Sequence, residues 1–224
     1  MIPLDWPCPL PDGGTASEYA LAFDKGRGHC LLIVPALFDE GNRLRRFTVD
    51  VMRRLDAAGI DCVLPDLPGT NESLQPLPAM TIEHWELAMQ AASRHFAATY
   101  VLGIRGGALF TPAGLPCWHY APAKGSAILR QMLRARILSS REAGREEKRE
   151  ALEQTARETG ILLAGHALGG PFFTALENRE PTREAGVIEQ SQIGGSGLWL
   201  RAEPDEDANQ SAALAEHLID SIQS

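Results

Sequence analysis

The stretch Thr99-Tyr100-Val101-Leu102-Gly103-Ile104-Arg105-Gly106-Gly107-Ala108-Leu109-Phe110 limits the fold of this chain more than any other. A short apolar run ends at Gly103, a single exposed position follows at Arg105, and two glycines then open a helix-like segment. This order reads as a buried strand, a sharp elbow and a helix. Glycine is required there because the turn is strained and the helix packs close to the strand. The residue at the tip, Arg105, carries a guanidinium that stays protonated at any working pH and cannot act as a nucleophile.

The segments on either side repeat the alternation of strand and helix. Glu18 to Phe23 alternates and fits an outer antiparallel strand, preceded by a Pro- and Gly-rich stretch over 1–18 that reads as irregular. His29 to Val34 is continuous, apolar and closed by Pro35, as expected of a buried central strand. The polar loop 36–42 leads to Asn42 as N-cap of a helix reaching Ala58, with Leu44, Phe47, Val51, Met52 and Leu55 on one face. Asp61 to Asp66 is the next strand, and Thr81 caps a second helix with Trp85, Ala88, Met89 and Ala92 inward. Leu115 to Pro122 is a further strand candidate. From Ser126 to Thr159, arginines and glutamates interleave at spacings of three and four, which predicts a solvated helical pair inserted into the domain in the place of a lid. Gly160 to His166 is strand-like, Pro171 to Glu177 a short helix, and Gly197 to Arg201 a last strand. Asn209 or Ser211 is expected to cap a final helix with Leu214, Leu218, Ile219 and Ile222 inward.

This pattern predicts one α/β domain over residues 1–224: a mostly parallel sheet covered by helices on both faces, with a helical insertion over 126–159. Ligands of such sheets gather at the carboxyl ends of the strands, where Phe38, Asp39, Glu40, Pro68, Gly69 and Arg105 converge. A net charge of −8 argues against a nucleic-acid partner, which needs a basic face. No apolar run is long enough to span a membrane, and the first residues lack the basic and apolar regions of a signal peptide. Cys8, Cys30, Cys62 and Cys117 form no C-x-x-C pair and read as free thiols of a cytoplasmic protein. No grouping has metal-ligand spacing, no loop has the lysine of a phosphate cradle, and no cofactor is expected.

Four segments in order carry a resemblance: Val34 to Arg43, Leu64-Pro65-Asp66-Leu67-Pro68-Gly69, Gly103 to Leu109, and Ala164-Gly165-His166-Ala167-Leu168. Together they resemble the exosortase A system-associated hydrolases, the second type more closely than the first, over about Cys30 to Ser221. The resemblance implies an α/β-hydrolase fold and a bacterial exosortase or exopolysaccharide context. It implies no particular substrate, since fold alone does not establish chemistry.

Hydrolases of that fold present their nucleophile in G-x-S-x-G and order the triad Ser, acid, His. Here the frame is Gly103-Ile104-Arg105-Gly106-Gly107, so the nucleophile slot holds Arg105. No Asp occurs between Asp66 and Asp205, leaving Glu189 as the carboxylate near the acid position, and the loop Gly194-Gly195-Ser196-Gly197 contains no His. His119, His166 and His217 are the only histidines beyond Arg105. Arg105 then has two readings. As an anion receptor it would fork a carboxylate or phosphate beside the amides of Gly106 and Gly107. As a structural residue it would pair internally with Asp39, Glu40 or Asp66. Leu37 and Phe38 occupy the loop whose amides form an oxyanion hole in hydrolases. The candidate cleft is thus Leu37, Phe38, Asp39, Glu40, Gly103, Ile104, Arg105 and Gly106. Two functions are compatible with it: a non-catalytic homologue that binds a small anionic or acyl ligand or a protein partner, and an ester or thioester hydrolase with a non-standard site. Cys117 and His119 lie two apart on one strand and so share a face.

Overall fold

The computed structural model describes residues 1–182 and 184–224. Nine strands and seven helices are described in chain order. The first strands are Ile2–Pro9 (β1), Thr15–Phe23 (β2) and Cys30–Val34 (β3), followed by helix Asp39–Ala57 (α1), strand Asp61–Pro65 (β4) and helix Ile82–His95 (α2). Strand Tyr100–Ile104 (β5) runs into a 3-10 turn over Arg105–Leu109, then strand Cys117–Tyr120 (β6) and helices Gly125–Glu142 (α3) and Arg149–Thr159 (α4). Strands Ile161–Leu163 (β7) and His166–Leu168 (β8), helix Gly170–Glu177 (α5), strand Gly186–Ile188 (β9) and helices Gln190–Ile193 (α6) and Ala208–Gln223 (α7) complete the chain.

The main sheet has the order β1-β2-β4-β3-β5-β6-β9. β4, β3, β5, β6 and β9 are parallel, and β1 and β2 join as antiparallel strands. The central strands are apolar on both faces because both faces are covered. Along β3, Leu31 and Ile33 pack with Leu44, Phe47, Val51 and Met52 of α1 and Leu214 and Leu218 of α7. Leu32 and Val34 point the other way, among Trp85 and Met89 of α2, Leu129 and Met132 of α3 and Phe172 and Phe173 of α5. The elbow after β5 therefore sits at the carboxyl edge of a fully sandwiched strand.

Several expectations need correction. Residues 1–18 are not irregular but form β1 and the start of β2. Pro3, Pro7 and Pro9 alternate with the inward Leu4, Trp6 and Cys8, so the missing amides fall on the free side of an edge strand, where no donor is needed. β2 lies inside the sheet between β1 and β4, not at its border. α1 begins at Asp39, three residues before Asn42; Asp39 and Glu40 put negative charge on its first turn, where the helix dipole favours it. Thr81 does cap α2, accepting the His84 amide at 3.1 Å. The segment from Gly106 makes only a short 3-10 turn, since two glycines weaken a helix and Pro112 stops it. The run 160–166 turns back at Ala164-Gly165 into a separate β7–β8 hairpin. Gly197 to Arg201 is no strand: Leu198–Leu200 is a 3-10 turn, and β9 takes the edge of the sheet. α7 is capped by Asp207, which accepts the amides of Asn209 and Gln210, rather than by Asn209 or Ser211.

All four cysteines are free thiols. Among the described residues no group of three or more His, Cys, Asp or Glu side chains could hold a metal ion, and no helix is long and apolar enough to cross a membrane.

Candidate functional site

Arg105 stands at the tip of the elbow with φ +53°, a left-handed conformation that a side chain rarely adopts. The turn is tight enough to need its glycines. A Cβ at Gly103 would lie 2.6 Å from the Cα of Ala108, and one at Gly107 would enter the carbonyl oxygens of Val34 and Pro35. Gly103, Ile104 and Gly106 are buried and frame the elbow.

The guanidinium is engaged on every side. Its Nε donates to Glu40 Oε2 at 3.0 Å, its Nη2 to Glu40 Oε1 at 3.0 Å, and its Nη1 to the Ala121 carbonyl at 2.7 Å. The plane is roofed by Trp199, with Cζ 4.1 Å from the ring centroid, a favourable cation–π distance. Trp199 is itself held, because its carbonyl accepts from Arg43 Nη1 at 3.1 Å. The side chains of Arg105 and Glu40 are 15% and 6% exposed, so the pair is largely desolvated. Of the three acids considered as partners, Glu40 takes Arg105. Asp66 is fully buried and accepts from Arg45 Nη1 at 3.1 Å and Asn71 Nδ2 at 2.9 Å. Asp39 Oδ1 lies 3.5 Å from His166 Nε2, and the His166 ring packs on Phe38 with centroids 5.1 Å apart.

Leu37, Phe38, Asp39 and Glu40 line what remains of the cleft, together with Arg43, Ile128, Gln131, Met132 and Ala135; its volume is about 40 Å³. That is room for about one water molecule. Phe38 has φ +53° and precedes α1. Glu189 follows β9, where its side chain accepts the Gln192 amide in a capping box at the start of α6. His217 lies in α7, and Ser196 lies in the loop after α6, its carbonyl accepting from Gln210 at 3.1 Å.

Cys117 and His119 do share a face, but Thr111 stands between them: its Oγ1 is 3.1 Å from His119 Nε2. Burial pushes the Cys117 thiol up and His119 down, so both stay neutral and form no reactive ion pair. His119 is fully buried with no partner for Nδ1, and His84, also buried, is lowered by the same desolvation. Each binds its proton more weakly in the folded chain than the ordinary value of 6.5. The unfolded chain therefore takes up more protons as the pH falls below that value. We expect stability to be level between pH 6.5 and the ordinary thiol range at about 8, to decline below 6.5, and the slope of urea-unfolding free energy against pH on that acid side to diminish in His119→Gln. An unchanged slope in that variant would count against the assignment. Glu18, buried and raised by desolvation, contributes with the opposite sign at lower pH.

Sequence reasoning missed Trp199 over Arg105 and the Asp39–His166 contact. Trp199 follows a glycine-rich loop that folds back across the sheet, and nothing local signals where it lands. His166 arrives from the β7–β8 hairpin, outside the main sheet.

No protein-family model and no curated protein sequence matches the chain. Solved structures do. Est1E from Butyrivibrio proteoclasticus with ferulic acid bound superposes with a TM-score of 0.59 at 13% identity, over 92% of this chain and 97% of that one. Alpha/beta hydrolase domain-containing protein 10 from mouse gives 0.57 at 13% identity, over 92% and 94%. The fold is that of the α/β hydrolases. At these identities the α/β-hydrolase likeness establishes architecture and leaves chemistry to the site.

Proposed function

We propose that this chain is an α/β-hydrolase-fold protein without serine-triad chemistry, which acts by binding a small anionic or acyl ligand or a protein partner. The observation that carries the reading is the closed fork of Arg105 on Glu40, roofed by Trp199, at the tip of the elbow. The nucleophile position of the fold holds a permanently protonated group, and its charge is already neutralised. The carboxylate after β9 serves a helix cap, and the glycine-rich loop that follows brings no histidine. A ligand anion at Arg105 would have to displace Glu40, so recognition falls to the rim of the cleft and to the helices over 126–159. The resemblance carried by the four sequence segments supports an exosortase or exopolysaccharide context, and the free thiols support a cytoplasmic location.

A second reading, an acyl-ester hydrolase with a non-standard site, draws on the Asp39–His166 contact beside Phe38. There Asp39 would hold the imidazole while it activated water. Turnover of p-nitrophenyl acetate and butyrate separates the two. The binding reading expects rates at buffer background for the wild type and for Arg105→Ala. A rate that scales with protein concentration and disappears in His166→Ala would replace it with the second.

A further inference from the structure

Beside the closed elbow lies a larger groove of about 540 Å³, between α3 and the β7–β8 hairpin. It is lined by Ala135, Arg136, Ser139, Ser140 and Arg145 on the helical side and by Leu162, Ala164 and Gly165 on the hairpin side. Ala135 also lines the small cavity next to Phe38, so the groove opens at the rim of the cleft. Among the described residues no carboxylate lines it, the nearest acid being Glu147 behind Arg136 and Ser140, in a chain of net charge −8.

The two arginines are not equivalent. Arg136 is committed: it forks Glu147 through Nε at 3.1 Å and Nη2 at 2.6 Å, and donates to the Leu162 carbonyl at 2.7 Å. Ser140 donates to the same Glu147. Arg145 is exposed, and among the described residues no hydrogen bond or ion pair fixes its guanidinium, although its charge is felt by Glu147. Glu147 is shared: it is forked by Arg136 and also feels the charge of Arg145, so two guanidiniums and one carboxylate leave one net positive charge at this end of the groove. Leu162, 56% exposed, and Ala135 supply an apolar surface beside it.

We propose that this groove binds a small organic carboxylate: the carboxylate forked by Arg145, the apolar part lying on Leu162 and Ala135. This rests on the binding reading above and names its ligand class, while moving the anion from Arg105 to the inserted helices. A guanidinium with a free fork selects a planar carboxylate bidentately, and the apolar strip selects against inorganic anions.

The probe is octanoate, titrated into the full chain with methyl-labelled leucine and followed by NMR, with 1-octanol and inorganic phosphate as comparators. We expect octanoate to shift the Leu162 methyl resonances saturably, and to bind at least tenfold more tightly than either comparator. Arg145→Ala, at an exposed position that leaves the fold intact, should weaken octanoate tenfold or more. Ala164→Asp, at a left-handed turn position that Asp tolerates, should do the same by placing a negative charge in the groove. Absence of saturable shifts, equal binding of octanol, or unchanged affinity in Arg145→Ala would overturn the proposal. None of these outcomes touches ester turnover, so the groove and the non-hydrolytic reading fail separately.

Discussion

Glu40→Ala should destabilise the protein by about 3–5 kcal/mol, because it strands a buried guanidinium. Arg105 cannot neutralise by losing a proton, and at 15% exposure water reaches little of it. Its contacts with the Ala121 carbonyl and the Trp199 ring would remain, but neither carries compensating charge. In a domain of this size that loss corresponds to a fall in Tm of roughly 6–20 °C. The double variant Glu40→Leu/Arg105→Leu removes both charges together and should recover most of the loss, since replacing a buried pair by apolar groups is often neutral or favourable. Thermal and urea unfolding of the wild type, both single variants and the double variant give the coupling directly. If Glu40→Ala changed stability by less than about 0.5 kcal/mol, in the range of an exposed surface change, the pair would be solvated and the elbow open.

Gly107→Ala should be the more damaging change, at about 4 kcal/mol or more. The new methyl would have to occupy the space of two backbone carbonyls, Val34 and Pro35, where β3 leaves the sheet and crosses behind the elbow. Side chains can rotate away from an added atom; those carbonyls belong to the central strand and the loop that follows it, and cannot. Gly106 offers the contrast, since the atoms nearest its added Cβ belong to the side chains of Leu37 and Ile128 rather than to backbone. Soluble yield and the urea midpoint should therefore rank wild type above Gly106→Ala and Gly106→Ala above Gly107→Ala. A folded Gly107→Ala with a wild-type midpoint would mean that the elbow does not pack against the loop after β3.

The parallel core was legible in the sequence because its signals are local. The apolar runs ending at Val34, Pro65 and Ile104 each map onto a strand, and Thr81 onto a cap. β1 was not, because three prolines in eight residues argue against a strand unless its edge position is known. The final apolar run failed for the opposite reason: Leu198 to Leu200 has strand composition, but Trp199 lies over the Arg105 guanidinium and edge-on to Tyr120, contacts distant in sequence. At the site, Arg105 and its short list of acid partners could be read from spacing. Which acid takes it could not, because the choice depends on how α1 starts. Beginning at Asp39, the helix turns Glu40 toward the elbow and Asp39 toward the β7–β8 hairpin. The groove at Arg145 was hidden for the same reason, since it is walled by a helix and a hairpin that meet only in the folded chain.

The measurement that most directly tests the absence of serine-triad chemistry is labelling of the purified chain with a fluorophosphonate, read by intact mass and peptide mapping beside a reactive serine hydrolase. That reagent is trapped by an activated serine, and a closed Arg105–Glu40 pair at the elbow offers none. The account predicts no adduct on this chain while the control is fully labelled. A single stoichiometric adduct on one serine would contradict it, and the mapped residue would name the active centre.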